Sequence, residues 1–179
     1  MTIIYTILGI IAGIVILLLV IALFVKPDYD IRRNIVISKP VAYVFDYIKY
    51  LKNQDNFSKW ATMDPEMNKT YEGTDGTVGF KSAWDSNKKN VGKGEQQIIS
   101  ITENENIGYK IHFIKPFDGL ADAHLTTASV DADSTNVTWG IKSKMKYPMN
   151  IMLLFMNMEK MIGNDLEIGL NNLKSVLEK

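Results

Sequence analysis

The sequence predicts an α+β domain in which a curved antiparallel sheet wraps a long C-terminal helix, preceded by one transmembrane helix. Three observations carry this. Ile3 to Val25 is an apolar run without a charge, Tyr71 to Met145 alternates with period two between turns, and helical periodicity returns from Pro148 to near Leu177. Strands and helices segregated along a chain in this way belong to the α+β class.

The apolar run comes first. About 23 residues at 1.5 Å each reach roughly 34 Å, enough for a hydrocarbon core of about 30 Å. Lys26-Pro27 ends the run abruptly, which divides the chain into an anchor, 1–26, and a domain, 27–179. A cleaved secretory signal would need a basic start, a shorter apolar stretch and a small-residue cleavage site. No Lys or Arg precedes this run, and Ala22-Leu-Phe-Val-Lys-Pro offers no such site. The run is apolar all round, unlike a helix buried along one face. Gly9 and Gly13 form a G-x-x-x-G, a spacing that suits a weak helix-mediated dimer. Lys26, Arg32, Arg33 and Lys39 follow the span, so the positive-inside rule places the domain in the cytoplasm of a single-pass arrangement. Three N-x-S/T sequons (Asn56, Asn68, Asn136) occur in an Asn-rich chain and carry little weight.

From Pro27 onward the length is that of one ordinary domain with a real core. The whole chain has 20 acidic and 20 basic residues, and no basic stripe marks a nucleic-acid surface. It has no cysteine, which removes disulfides and thiol chemistry from consideration.

The elements follow in order. Ile31, Arg33, Ile35 and Ile37 alternate with Arg32, Asn34 and Val36, a half-buried strand. Ser38-Lys-Pro40 supplies a cap residue and a first-turn proline for a helix. Val41, Val44, Phe45, Ile48 and Leu51 give that helix one apolar face. Asp64-Pro65 marks a turn. Val78, Phe80, Ser82 and Trp84 share one face of the next strand, and further strands run over 92–102, 107–114 and 123–130. Asp131-Ala-Asp-Ser-Thr turns the chain into the last strand, with Val137, Trp139, Ile141, Ser143 and Met145 on one face. Short turns make these strands antiparallel neighbours. Pro148 opens the final helix, with Gly163 and Gly169 as candidate kinks.

Particular residues stand at the landmarks of this order. They are Ile35-Val-Ile-Ser-Lys-Pro-Val-Ala-Tyr-Val-Phe45, Trp60 with Asp64-Pro65, Gly76-Thr-Val-Gly-Phe80 before Trp84, and Val91-Gly-Lys-Gly94. Phe113-Ile-Lys-Pro-Phe117, Val137-Thr-Trp139 and Gly169-Leu-Asn-Asn-Leu-Lys174 complete the set. From Asp28 to the end the chain resembles the SRPBCC superfamily of START and Bet v 1-like domains, in particular its polyketide cyclase/dehydrase and lipid-transport branch. The resemblance implies a helix-grip fold, a sheet gripping the C-terminal helix around an apolar cavity. Carriers and enzymes share that fold, so it does not decide function.

The inward-facing sets put Phe80, Trp84, Tyr109, Phe113 and Trp139 on the concave side of such a sheet. Six of the nine methionines lie between Met145 and Met161, and Met145, Met158 and Met161 join the expected cavity wall. Methionine adapts to ligands of varied shape, though it also fills irregular cores. For catalysis the candidates are thin. His112 alternates with Tyr109, Ile111 and Phe113 and points outward, and His124 sits beside Asp122 at a strand start. Asp118-Gly119 reads as a turn and Glu95 as an edge charge. No nucleophile–base pair, G-x-S-x-G or phosphate loop is present, and neither a cofactor nor a metal is expected. The residues therefore point to a membrane-anchored binder of a hydrophobic small molecule or lipid. A cyclase or hydratase using Tyr109, His112 or Glu95 and a membrane-tethered protein-interaction module remain open alternatives.

Overall fold

A computed structural model describes residues 2–88 and 90–179. An apolar helix, α1 (Thr2–Phe24), precedes a seven-stranded sheet. The strands are β1 (Asp28–Ile37), β2 (Asn68–Glu72), β3 (Lys81–Asp85), β4 (Lys93–Thr102), β5 (Asn106–Lys115), β6 (Gly119–Asp131) and β7 (Ser134–Lys144). They lie in the order β1-β7-β6-β5-β4-β3-β2, every neighbour antiparallel. Between β1 and β2, at opposite edges, run α2 (Val41–Ile48), a 3-10 turn (Leu51–Asn56) and the single turn α3 (Lys59–Thr62). A second 3-10 segment (Met149–Leu154) and then α4 (Met158–Leu177) close the chain.

The alternation read from the sequence becomes the two faces of the sheet. Ile31 and Ile37 of β1, Ile107 and Tyr109 of β5, Leu125 of β6, and Val137 and Trp139 of β7 are buried on the concave side. Against them α4 presents Leu166, Leu170, Leu173 and Leu177, spaced three and four apart, while α2 adds Val44, Phe45 and Ile48. No residue of α1 belongs to this core, so residues 27–179 carry the domain's whole apolar interior. Register shifts at Lys93/Gly94 and at Ile98/Ser100 interrupt the β4–β5 pairing. Bulges of this kind bend a sheet, as wrapping a helix requires.

Several sequence expectations are corrected. The last helix is not one piece from Pro148: a 3-10 segment and a break precede α4, whose first turn is capped by the Asn157 side chain accepting from the Lys160 amide at 2.8 Å. Gly163 and Gly169 are close-approach sites, for a Cβ would strike the Arg33 guanidinium at one and the Trp139 ring at the other. Pro40, not Ser38, occupies the first helix's cap position, and the Ser38 amide instead donates to the Glu178 carboxylate at 2.6 Å. Val78 lies outside β3 and is exposed. β6 begins at Gly119, which places His124 inside the strand instead of at its start.

Candidate functional site

A cavity of about 760 Å³ lies between the concave sheet, the segment from Leu51 to Lys69 and the segment from Met145 to Met156. Three features of the chain leave it open. Trp139, buried on β7, meets Phe57 and Trp60 edge-on at ring-centroid distances of 5.6 and 5.8 Å. That edge-to-face cluster packs across one end of the cavity and closes it. Trp84 on the short edge strand β3 meets Phe113 on β5 edge-on at 6.2 Å and forms a side wall. Finally, α4 starts only at Met158, so the preceding stretch folds across the opposite end and contributes Met149, Met152 and Met156.

The wall is mostly apolar: Trp60, Trp84, Ile111, Phe113, Trp139 and Ile141 stand beside six methionines, Met63, Met67, Met145, Met149, Met152 and Met156. Gln54, Ser58, Ser82, Gln96 and Ser143 supply scattered polar groups. Charges collect where Lys69, Lys115, Asp118, Lys144 and Lys146 meet the cavity. Lys69 is bonded to Asp55 at 2.8 Å. Asp118 lies 2.8 Å from His112 Nε2, and that hydrogen bond holds its carboxyl below the usual carboxylate range.

The sequence-derived residues divide into two groups. Trp84, Phe113, Trp139 and Met145 line the cavity. Phe80, Tyr109, Met158 and Met161 do not, which corrects their assignment. Phe80, just before β3, stacks on Tyr71 at 6.1 Å in the packed core. Tyr109 is wholly enclosed between β4 and β6, and burial pushes its phenol pKa up. Met158 packs against the core from the first turn of α4, and Met161 is 51% exposed. A continuous helix from Pro148 would carry both toward the cavity, whereas the helix that starts after Asn157 does not. The missed residues, among them Trp60, Met63, Met67, Met152 and Met156, sit on short turns and irregular segments where no periodicity assigns a face.

The proton-transfer candidates are scattered. Glu95 and His112 are register partners on β4 and β5 and alternate with the cavity-lining Gln96, Ile111 and Phe113, so they occupy the outer face. Lys81 lies 3.7 Å from Glu95 there. His124 is also on the outer face, half-buried over Gly140, and its pKa is lowered first by burial and then by Arg32, against a smaller opposite pull from Asp30.

Among known proteins, no family model matches this sequence, and no curated protein matches it. Solved structures do. Norcoclaurine synthase from Thalictrum flavum superposes with a TM-score of 0.63 at 9% identity, covering 89% of this chain and 91% of that one. The Aha1 dimer from Colwellia psychrerythraea gives a TM-score of 0.57 at 14% identity, covering 84% and 96%. The fold is the helix grip of Bet v 1-like proteins. A protein from Thermobifida fusca, solved in solution by NMR, gives 0.55 at 18% identity, covering 83% and 92%. The norcoclaurine synthase has also been solved in complex with dopamine and hydroxybenzaldehyde. At these identities the likeness carries the fold and no activity.

Proposed function

We propose that this chain is a membrane-anchored helix-grip domain whose cavity takes up a hydrophobic small molecule or a lipid. In this reading residues 1–26 are a single transmembrane anchor, and residues 27–179 are the binding domain on the cytoplasmic side. The observation that carries it is the joint between the two. Asn150, in the 3-10 segment that borders the cavity, donates from Nδ2 to the carbonyls of Ala22 at 2.7 Å and Val25 at 2.9 Å. The apolar helix therefore ends against the wall of the apolar cavity.

Three further facts support the reading. The cavity has the size of a small-molecule site, roughly 300–1,000 Å³, and the usual mixture of apolar wall and sparse polar groups. Its methionines give a wall that can adapt to flexible chains. α1 is long and apolar enough to cross a bilayer, and nearly all of its side chains are exposed, as lipid-facing ones must be. A related fold that holds two small aromatic molecules lends further support. Gly9 and Gly13 both lie open on α1, a surface that suits a weak contact between two anchors in the bilayer.

Titration of residues 27–179 with a dansyl-labelled fatty acid tests the binding. The expected result is saturable, one-to-one fluorescence enhancement. Ser82→Trp, which fills space at the half-buried cavity wall, should weaken binding by about tenfold, roughly 1.4 kcal/mol. Unchanged affinity in that variant would place the dye elsewhere and contradict the assignment.

A further inference from the structure

The joint does more than hold the domain near lipid; it fixes which end of the domain meets it. Three residues separate α1 from β1. The last carbonyls of a helix have no partner within it, and Asn150 satisfies two of those at the end of α1. The Tyr147 hydroxyl reaches further back and donates to the Leu19 carbonyl at 3.4 Å. Leu19 lies about 9 Å before Val25 along a helix axis that rises 1.5 Å per residue. The segment from Tyr147 to Leu154 thus lies beside the last turn and a half of α1, not beyond its end. A groove lined by Ile21, Phe24, Val25, Leu153 and Leu154 continues from one to the other.

The side chains at this end are those of a membrane interface. Leu154 is 58% exposed and Phe155 81% exposed. Phe117, on the neighbouring turn between β5 and β6, is 70% exposed and also borders the cavity. Lysines surround them: Lys26 borders the groove, and Lys115, Lys144 and Lys146 border the cavity. Exposed apolar tips, a tyrosine and lysines bordering the same groove and cavity match the composition of the boundary between acyl chains and phosphate headgroups.

We propose that this end, with Phe117, Tyr147, Leu154 and Phe155 at its tip, docks into the surface of the phospholipid bilayer that α1 enters, so that the cavity opens against lipid rather than water. The occupant is the bilayer, because the surface is continuous with the apolar helix and rimmed by cations. The inference rests on the reading of α1 as a transmembrane span, and the experiment separates the two.

The chain has no cysteine, so single-cysteine variants of the full chain can each carry one nitrobenzoxadiazole label. The sites are Leu17→Cys in α1, Phe155→Cys at the docking end, and Val130→Cys, 59% exposed at the far end of β6. β6 carries the chain away from the turn that holds Phe117, and its eleven steps from Gly119 to Val130 at roughly 3.3 Å each span up to about 36 Å. The variants are reconstituted in phosphatidylcholine–phosphatidylglycerol vesicles and quenched by doxyl lipids or by aqueous iodide. The expected result is lipid quenching at Leu17 and Phe155 and iodide quenching at Val130. A Phe155 label that behaves like Val130, with Leu17 still in lipid, overturns the docking and leaves the anchor standing. A Phe155 label shielded from both quenchers assigns the surface to a second copy of the chain and overturns it as well. Iodide quenching at Leu17 overturns the anchor and the docking together.

Discussion

Trp139 shows how one residue serves fold and site at once. Its ring is buried, closes the cavity against Phe57 and Trp60, and lies where a Cβ on Gly169 would stand. Trp139→Ala should cost roughly 3–5 kcal/mol in urea unfolding, the usual range for truncating a buried aromatic. A loss below about 1 kcal/mol would mean that the ring is not part of the core. His124 makes a prediction about pH. Burial and Arg32 hold its folded-state pKa below the ordinary value of 6.5. Below that value the unfolded chain binds more protons than the folded one, so this contribution to stability is present above pH 6.5 and is lost as pH falls. His124→Gln should flatten that part of the stability–pH curve, and an unchanged slope would show that the ring does not titrate as its surroundings require. Trp139 was legible in the sequence because strict alternation along β7 fixes its face. The face of Phe80 was legible too, since its pairing with Ile98 continues the β3–β4 ladder, but alternation does not tell a residue packed in the core from one that lines the cavity.

At the scale of elements, the close packing of α4 on β7 depends on a missing side chain. Alanine is favoured over glycine inside a helix by about 1 kcal/mol. At position 169, however, the added Cβ would press into the Trp139 ring, and overpacking of this kind costs about 1–3 kcal/mol. Gly169→Ala should therefore lower the thermal midpoint of residues 27–179, and a rise would show that the helix can slide off the sheet without loss. The same element shows where sequence reasoning stopped. From Pro148 to Leu177 apolar residues recur at helical spacing, but Leu154 and Phe155 are exposed and the true helix starts after Asn157. Periodicity cannot distinguish residues that face a core from residues that face lipid, since both are apolar. Here the regular pattern runs across the break at Asn157, from exposed apolar residues to buried ones. The short edge strand β2 was not separately delimited either, because Asn68 to Glu72 has only exposed and half-buried positions and no apolar stripe.

At the scale of the molecule, the antiparallel pairing of successive strands and the gripped helix followed from segregated periodicities, and they hold; the place of β1 beside β7 did not follow, because no short turn joins those two strands. The cavity's outline followed only in part. Its inner end comes from strands, and its outer end comes from turns and a 3-10 segment whose faces no repeat records. The apolar helix and the cavity wall each have a sequence pattern, whereas the joint between them, made by Asn150, Tyr147 and the groove beside Leu153 and Leu154, is visible only in three dimensions. That joint predicts a functional division. Removal of residues 1–26 should leave the fold and intrinsic ligand affinity of the domain in place, since the packed cluster around α4 contains no residue of α1 and Asn150, freed of the Ala22 and Val25 carbonyls, can turn its amide to water. Uptake of a fluorescent lipid from vesicles should slow relative to the full chain in the same membrane. Equal rates would mean that the anchor does not deliver ligand to the cavity.

The most direct test of the central claim is native mass spectrometry of residues 27–179 exposed to a total lipid extract. The account predicts a stoichiometric hydrophobic adduct that disappears in folded Ser82→Trp and Met152→Asp variants, both altered at the cavity wall. A domain that stays free of adduct at every lipid load, or an adduct indifferent to both substitutions, would contradict it.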